Sequence, residues 1–232
     1  MNAFKVIEFL QSTNDMAVVI RLFMAMFFGC LVGWERIVTR HSAGIKTFAL
    51  VSLGAAVASA LNVYLAYFPD VKGDIGRIPA QVVSGIGFLG AGTILVTGRK
   101  QIKGLTTAAT LWVTACMGMA IGAGYMIVGV SCFLLIMLAN IVLLQLSNAV
   151  EGKSRYMSLY VETDQDGGVK KLLSWIADNN YKISSMTKSK EKPLRPTDVA
   201  LLIDMDCEKK QSHIKLITEL NGLDFINYVE EV

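Results

Sequence analysis

Residues 85–92 read Gly85-Ile86-Gly87-Phe88-Leu89-Gly90-Ala91-Gly92, and the setting of that run decides the class of the fold. Gly85, Gly87 and Gly90 match the G-x-G-x-x-G pattern that cradles a pyrophosphate between a strand and a helix. A dinucleotide site also needs an acidic residue about 20 positions on, to hold the ribose. No Asp or Glu occurs between Asp74 and Glu151. The run lies instead inside an apolar stretch, residues 80–97, where glycines let membrane helices approach closely or break one open.

The rest of the chain has the same character. It is 53% hydrophobic with a mean hydropathy of +0.48, and 26 of its 41 charged residues fall after residue 150. Two parts follow, a membrane domain over 1–150 and a soluble one over 151–232. Five spans are expected in the first, at residues 16–34, 47–68, 80–97, 105–122 and 125–146. Each is near the ~20 residues that carry a helix across a hydrocarbon core of roughly 30 Å. The first span follows a polar segment with Glu8 and Asp15, not the basic flank of a cleavable signal.

Loop charges set the orientation. Arg36, Arg40 and Lys46 follow span one, and Arg99, Lys100 and Lys103 follow span three, so both loops belong in the cytoplasm. The loop with Lys72 and Arg77 balanced by Asp70 and Asp74 then lies outside. Five spans leave the N-terminus outside and the second domain in the cytoplasm, behind Lys153 and Arg155. The expected location is a bacterial inner membrane, crossed several times.

Cys30, Cys116 and Cys132 fall in spans and Cys207 in the tail, with no C-x-x-C spacing and no neighbouring His for zinc. They read as small buried hydrophobes, and neither a metal nor a cofactor is expected.

The tail reads as a small α+β domain. Met157, Leu159 and Val161 alternate in a strand over 156–162. A turn of Asp166, Gly167 and Gly168 leads to a helix with Val169, Leu172, Leu173, Ile176 and Ala177 at helical spacing. Strands at 181–187 and 199–205 pair as a hairpin, a helix over 208–221 points Ile214, Ile217 and Leu220 inward, and 225–229 closes the domain. The order βαββαβ gives a ferredoxin-like sheet with helices on one face.

Polar residues inside spans are costly and so are candidate sites. Arg21, roughly 8 Å into span one, has three readings: pairing with Asp70 or Asp74, binding an anionic group in an external vestibule, or reaching out to lipid phosphates. Glu35 and Arg36 follow Gly33 and Trp34, where they bridge to Lys46 or to the third loop, or form an ordinary solvated helix end. Gln81 and Ser84 open span three. Thr106, Thr110 and Thr114 share a face of span four, where threonines bond back to their own helix or line a polar path. Gly29 with Gly33, Gly118 with Gly122, and Ser52, Ala56 and Ala60 have the small-xxx-small spacing of close helix contacts, within one bundle or between subunits.

In order along the chain these segments resemble the MgtC/SapB family of bacterial inner-membrane proteins. The resemblance rests on Arg21-Leu22 with Ala25, on Gly29 through Gly33 to Glu35-Arg36, and on Ala43-Gly44-Ile45-Lys46-Thr47. It continues through Asp74 and Arg77 into Ala80-Gln81-Val82-Val83-Ser84, the run at 85–92, and Lys103-Gly104-Leu105-Thr106-Thr107-Ala108-Ala109 with Trp112. Lys46 stands where the family has Arg, Phe48 where His is common, and Pro79 where Ala is usual.

The resemblance implies a five-span domain followed by a cytoplasmic ACT-like domain, and a part in growth at low magnesium and in virulence. It implies a functional cluster drawn from Arg21, Glu35, Arg36, Lys46, Thr47, Asp74, Arg77, Gln81, Lys103, Thr106 and Thr107. It also implies packing at Gly85, Gly87, Gly90 and Gly92, and a ligand turn at Asp166, Gly167 and Gly168. The expected partners are the lipid bilayer, a second copy of the chain in a homodimer, and a membrane machine such as the ATP synthase. No nucleic acid is expected. The leading expectation is a non-enzymatic regulator. The alternative is a transporter or channel for magnesium or another small ion.

Overall fold

A computed structural model describes residues 8–39, 41–67, 74, 76–97, 102–151, 155–189, 192–207 and 213–232. Arg40, Asp70, Lys72, Arg99, Lys100, Lys153 and residues 208–212, on which parts of the topology and of the last helix were read, lie outside the described residues. The chain divides into two compact units, residues 1–95 with 102–142, and 96–101 with 143–232.

In the first unit, α1 (Asp15–Val38) begins where the Asn14 side chain accepts the Met16 N–H at 2.9 Å and Asp15 lies at the positive end of the helix dipole. Then come α2 (Ile45–Ala66), α3 (Arg77–Thr93), the paired short strands β1 (Leu95–Val96) and β2 (Ile102–Lys103), α4 (Leu105–Gly122), and α5 (Met126–Leu138), which runs into a π-helical turn at Ala139–Leu143. Among the described residues, four helical stretches are long and apolar enough to cross a membrane: Asp15–Val38, Ile45–Ala66, Leu105–Gly122 and Met126–Ser147. Bulky side chains such as Phe23, Phe27, Phe88 and Leu135 stand exposed on the outer helix faces, as in a bundle solvated by lipid.

α3 is shorter than those four, 17 residues or about 25 Å. It ends at Thr93, whose hydroxyl bonds back to the Gly90 carbonyl at 2.8 Å before Ile94 turns extended. The glycine run at 85–92 therefore lies in an unbroken helix. Its expected packing role needs correction. A Cβ at Gly90 would sit 3.4 Å from Ala108 on α4, but one at Gly85, Gly87 or Gly92 would meet nothing within 4 Å. Only Gly90 faces the bundle, because α3 turns a single narrow strip inward, with Ile86 and Gly90 as its buried residues.

The other glycine pairs are contacts within the bundle. A Cβ at Gly29 would lie 2.6 Å from the Phe48 carbonyl oxygen, and one at Gly33 2.6 Å from Ile45 Cα. At Gly118 and Gly122 it would lie 2.3 Å from Ser52 O and 2.2 Å from Ala56 O. α2 is thus held between α1 and α4 at backbone contact, and Ser52 fixes the register by donating to the Ala25 carbonyl at 2.7 Å. α4 also packs on α1, α3 and α5, with Leu111, Met117 and Ile121 buried.

The second unit contains α6 (Leu144–Glu151), β3 (Tyr156–Asp164), α7 (Gly168–Asp178), β4 (Lys182–Lys188), β5 (Asp198–Asp206), α8 (His213–Asn221) and β6 (Ile226–Glu231). The strands form one antiparallel sheet, β4-β5-β3-β6, with Leu159 opposite Ile203 and Val161 opposite Val229. β4 and β5 are the expected hairpin. Met157, Leu159 and Val161 share a core with Leu172 and Ile176 of α7 and Leu216 and Leu220 of α8, so both helices cover the same sheet face. The expected inward set of α8 is wrong at one position: Ile214 is 77% exposed, while His213, Leu216 and Leu220 are buried. Positions 213, 216 and 220 repeat at helical spacing, and 214 falls about 100° off that line.

Candidate functional site: a buried polar cluster at one end of the helical unit

α1 does not stop at Trp34 but carries Glu35 and Arg36 on its last turns, where Gly33 lets the start of α2 press against it. Both side chains are buried, Arg36 at 1% exposure and Glu35 at 8%. A solvated helix end is therefore ruled out. Buried charges are tolerated only when hydrogen-bonded or paired, and the partners come from three helices. Glu35 Oε2 accepts the Asn140 amide N–H at 2.9 Å, and Oε1 accepts the Thr39 hydroxyl at 3.2 Å. Arg36 Nη2 points at Thr107 Oγ1, at 3.5 Å, and its Nε has no hydrogen-bond partner among the described residues. Thr110 donates to the Thr106 carbonyl at 2.7 Å and lies 3.5 Å from Asn140 Oδ1. One turn further into α4, the buried Thr114 hydroxyl has no hydrogen-bond partner among the described residues.

The cluster continues to the surface. Thr39 shares a hydrogen bond of 2.8 Å with His41 Nδ1. Burial, reinforced by the Arg36 charge, pushes the His41 imidazole below its usual pKa, against smaller opposing effects of Glu35 and the Thr39 backbone. Beside it opens a cavity of about 480 Å³ between the α1–α2 loop, the end of α3 and the start of α4. His41, Ser42, Thr93, Lys103, Thr106 and Thr107 supply its polar lining. Gly104 closes the wall. Its φ of +95° suits glycine, and a Cβ there would lie 1.9 Å from the Thr93 carbonyl oxygen.

The structure brings together five of the expected site residues: Glu35, Arg36, Lys103, Thr106 and Thr107. Lys46 and Thr47 are exposed at the start of α2, beyond the loop that carries His41. Asp74, Arg77 and Gln81 are exposed at the far end of α3, where Asp74 accepts the Gly76 N–H at 2.8 Å in the turn that starts the helix. Arg21 is separate as well, 14 residues or roughly 21 Å along α1 from Glu35. It is buried, not turned to lipid, and donates to the Leu10 carbonyl at 3.2 Å. In the second unit the turn at Asp166, Gly167 and Gly168 starts α7 with Gly167 at φ +85°, beside a shallow groove lined by Lys170, Lys171 and Trp175.

Asn140, Thr39 and His41 were not read from the sequence as site residues. For Asn140 the signal was available: an amide in the middle of an apolar span, four residues after the buried Ile136. It sits in the π-helical turn, a distortion often found at functional sites.

A family model described as the MgtC family matches residues 22–149. The chain is 41% identical over 146 residues to Protein MgtC of Salmonella typhimurium (strain LT2), which is 60% of this chain and 61% of that protein. It is 34% identical over 191 residues to the Putative magnesium transporter YhiD of Escherichia coli (strain K12), covering 79% of this chain and 86% of that one. It is 39% identical over 110 residues to an uncharacterized protein of Haemophilus influenzae. The chain spans about three-fifths of the length of the MgtC relatives it matches. No solved structure matches it.

Proposed function

Because the chain belongs to the MgtC family, we propose that this magnesium-related, multi-pass membrane protein acts without catalysis, by regulating a membrane partner such as the ATP synthase. In this reading α3 crosses the membrane as a fifth span, the N-terminus lies outside and the second unit is a cytoplasmic ACT-like module that pairs two copies. The protein supports adaptation to low magnesium and, where the bacterium infects a host, virulence.

The observation that carries the reading is the buried cluster of Glu35, Arg36, Thr107 and Asn140. Three helices are tied together by one ion pair's worth of buried charge, an arrangement that holds a particular helix packing and can be biased by a bound partner. The cluster supplies a single carboxylate, both of whose oxygens already accept hydrogen bonds, which suits a packing switch better than a dehydrated divalent cation.

The second reading, transport of magnesium or another small ion, is favoured by the name of the Escherichia coli relative and by the line of Thr106, Thr110 and Thr114. Two experiments separate them. Crosslinking and co-purification from native membranes should recover a membrane complex in a manner sensitive to Arg36→Gln. Purified protein in liposomes should show no magnesium flux under an imposed gradient. Flux abolished by Thr110→Val, with no partner recovered, would replace regulation with transport.

A further inference from the structure

Three features of the cavity beside the Glu35–Arg36 cluster select for negative charge. The first is the start of α4. This helix of 18 residues has no side-chain cap, and its first internal hydrogen bond uses the Ala108 N–H, donated to Gly104 O at 2.9 Å. The amides of residues 105–107 are therefore not used inside the helix, and they sit at its positive end. Gly104, Thr106 and Thr107 line the cavity, so that end opens onto it.

The second feature is the cation set. Lys103 lines the cavity directly, and behind its wall the fully buried Arg36 aims Nη2 at the lining hydroxyl of Thr107 while its Nε has no hydrogen-bond partner among the described residues. A guanidinium left short of acceptors in a low-dielectric site is a standing demand for an anion. The third feature is the absence of competition. None of the described residues that line the cavity is acidic; Glu35, whose carboxylate offsets part of the Arg36 charge, lies outside the lining and accepts from Thr39 and Asn140. Three hydroxyls, of Ser42, Thr106 and Thr107, ring the space as donors to further oxygens, while that of Thr93 already donates to the Gly90 carbonyl.

The geometry points to an oxyanion site in this cavity that takes a phosphate group, with the α4 amides and Thr106 and Thr107 holding its oxygens and Lys103 and Arg36 balancing its charge. Tetrahedral oxyanions fit such a site because several donors converge on one small centre. Halide offers one sphere of charge and no array of acceptors. The cavity is large enough for the phosphate of a free phosphate ester or of a phospholipid headgroup. This inference rests on the reading of the Arg36 cluster as the working end of the protein, and it names what that end senses.

The test uses the full-length protein, purified and delipidated in a neutral detergent. Radiolabelled orthophosphate is titrated by equilibrium dialysis, with dihexanoyl phosphatidic acid as a second probe and chloride at matched ionic strength as the control. Saturable binding of orthophosphate, lowered at least tenfold by Lys103→Met and by Thr107→Val, supports the site with a soluble source. Saturable binding of the short-chain lipid alone, lowered by the same variants, supports it with a lipid source. Thr106→Val, at an exposed position, serves as the second variant if Thr107→Val fails to fold. No saturable binding of either probe, or binding unchanged by Lys103→Met in a protein that melts like the wild type, overturns the site. Because binding is read without a partner or growth, that failure leaves the regulatory reading to its own co-purification test.

Discussion

Substituting Gly118 by alanine should loosen the helical unit, and the same change at Gly85 should tighten it. At Gly118 the new Cβ starts 2.3 Å from the Ser52 carbonyl oxygen and 2.9 Å from the carbonyl carbon. Both neighbours are backbone in the middle of a helix, so no side chain can swing away. Raising the shorter distance to 3.0 Å requires α2 and α4 to part by about 0.7 Å, a gap on the scale that forfeits a quarter to a half of the dispersion energy of each contact it opens. Overpacking of this kind costs about 1–3 kcal/mol. The intrinsic preference of a helix for alanine returns at most ~1 kcal/mol. The net effect is a loss of roughly 1–2 kcal/mol, or more if the shift spreads to Gly122, where the distance to Ala56 O is 2.2 Å.

At Gly85 nothing lies within 4 Å of the new Cβ, so only the helix preference remains and stability should rise by up to ~1 kcal/mol. Thermal unfolding of the detergent-solubilised protein reads both, at about 2–4 °C per kcal/mol for a unit of this size. The expected result is a lower midpoint for Gly118→Ala and an equal or higher one for Gly85→Ala. A Gly118→Ala protein as stable as wild type would refute the backbone contact between α4 and α2, and a Gly85→Ala protein that falls as far would refute the outward face of α3.

The polar cluster predicts coupling: Asn140→Leu should cost about 1–3 kcal/mol by stripping a donor from Glu35, and most of that loss should vanish in a Glu35→Leu background, whereas an equal loss in both backgrounds would show that the two side chains do not act together. His41 predicts a pH effect. Its pKa is lowered from 6.5 on folding, so the neutral form is favoured and the stability it contributes is present above about 6.5 and lost as pH falls through the lowered value; the melting midpoint should drop between pH 7.5 and 5.5, less so in His41→Gln, and identical slopes would dismiss the residue as a contributor. In the second unit, Leu216→Ala should cost about 2–5 kcal/mol and Ile214→Ala less than ~0.5 kcal/mol, measured by denaturant unfolding, with the reverse order contradicting the orientation of α8.

The pairs at Gly29 and Gly33 and at Gly118 and Gly122 were legible because a four-residue spacing of small side chains marks one helix face whatever lies opposite it. The strands of the second unit were legible for a similar reason, since Met157, Leu159 and Val161 declare the buried face by period two alone. The run at 85–92 misled by density: so many glycines crowd onto α3 that most must face away from the bundle, and only the partner helix decides which. The sequence leaves Arg36 between a bridge to Lys46 or the third loop and a solvated helix end, because burial under Thr107 of α4, a segment 71 residues on, leaves no local trace. Ile214 was assigned inward by its apolarity, whereas the sheet sets the face of α8 and puts His213 there. Asn140 was passed over because its partners, Glu35 and Thr110, lie 105 and 30 residues away along the chain, and nothing near it in the sequence marks them.

The account turns on the buried charges of Glu35 and Arg36. The direct measurement is growth at limiting magnesium of a bacterium lacking its own copy, complemented by Glu35→Gln, Arg36→Gln and, as a control, Gly85→Ala, each at wild-type level in the membrane. The account predicts that the two charge-removing variants fail to restore growth while the glycine variant restores it fully. Full growth with both charges removed would contradict it and move the function away from this end of the helical unit.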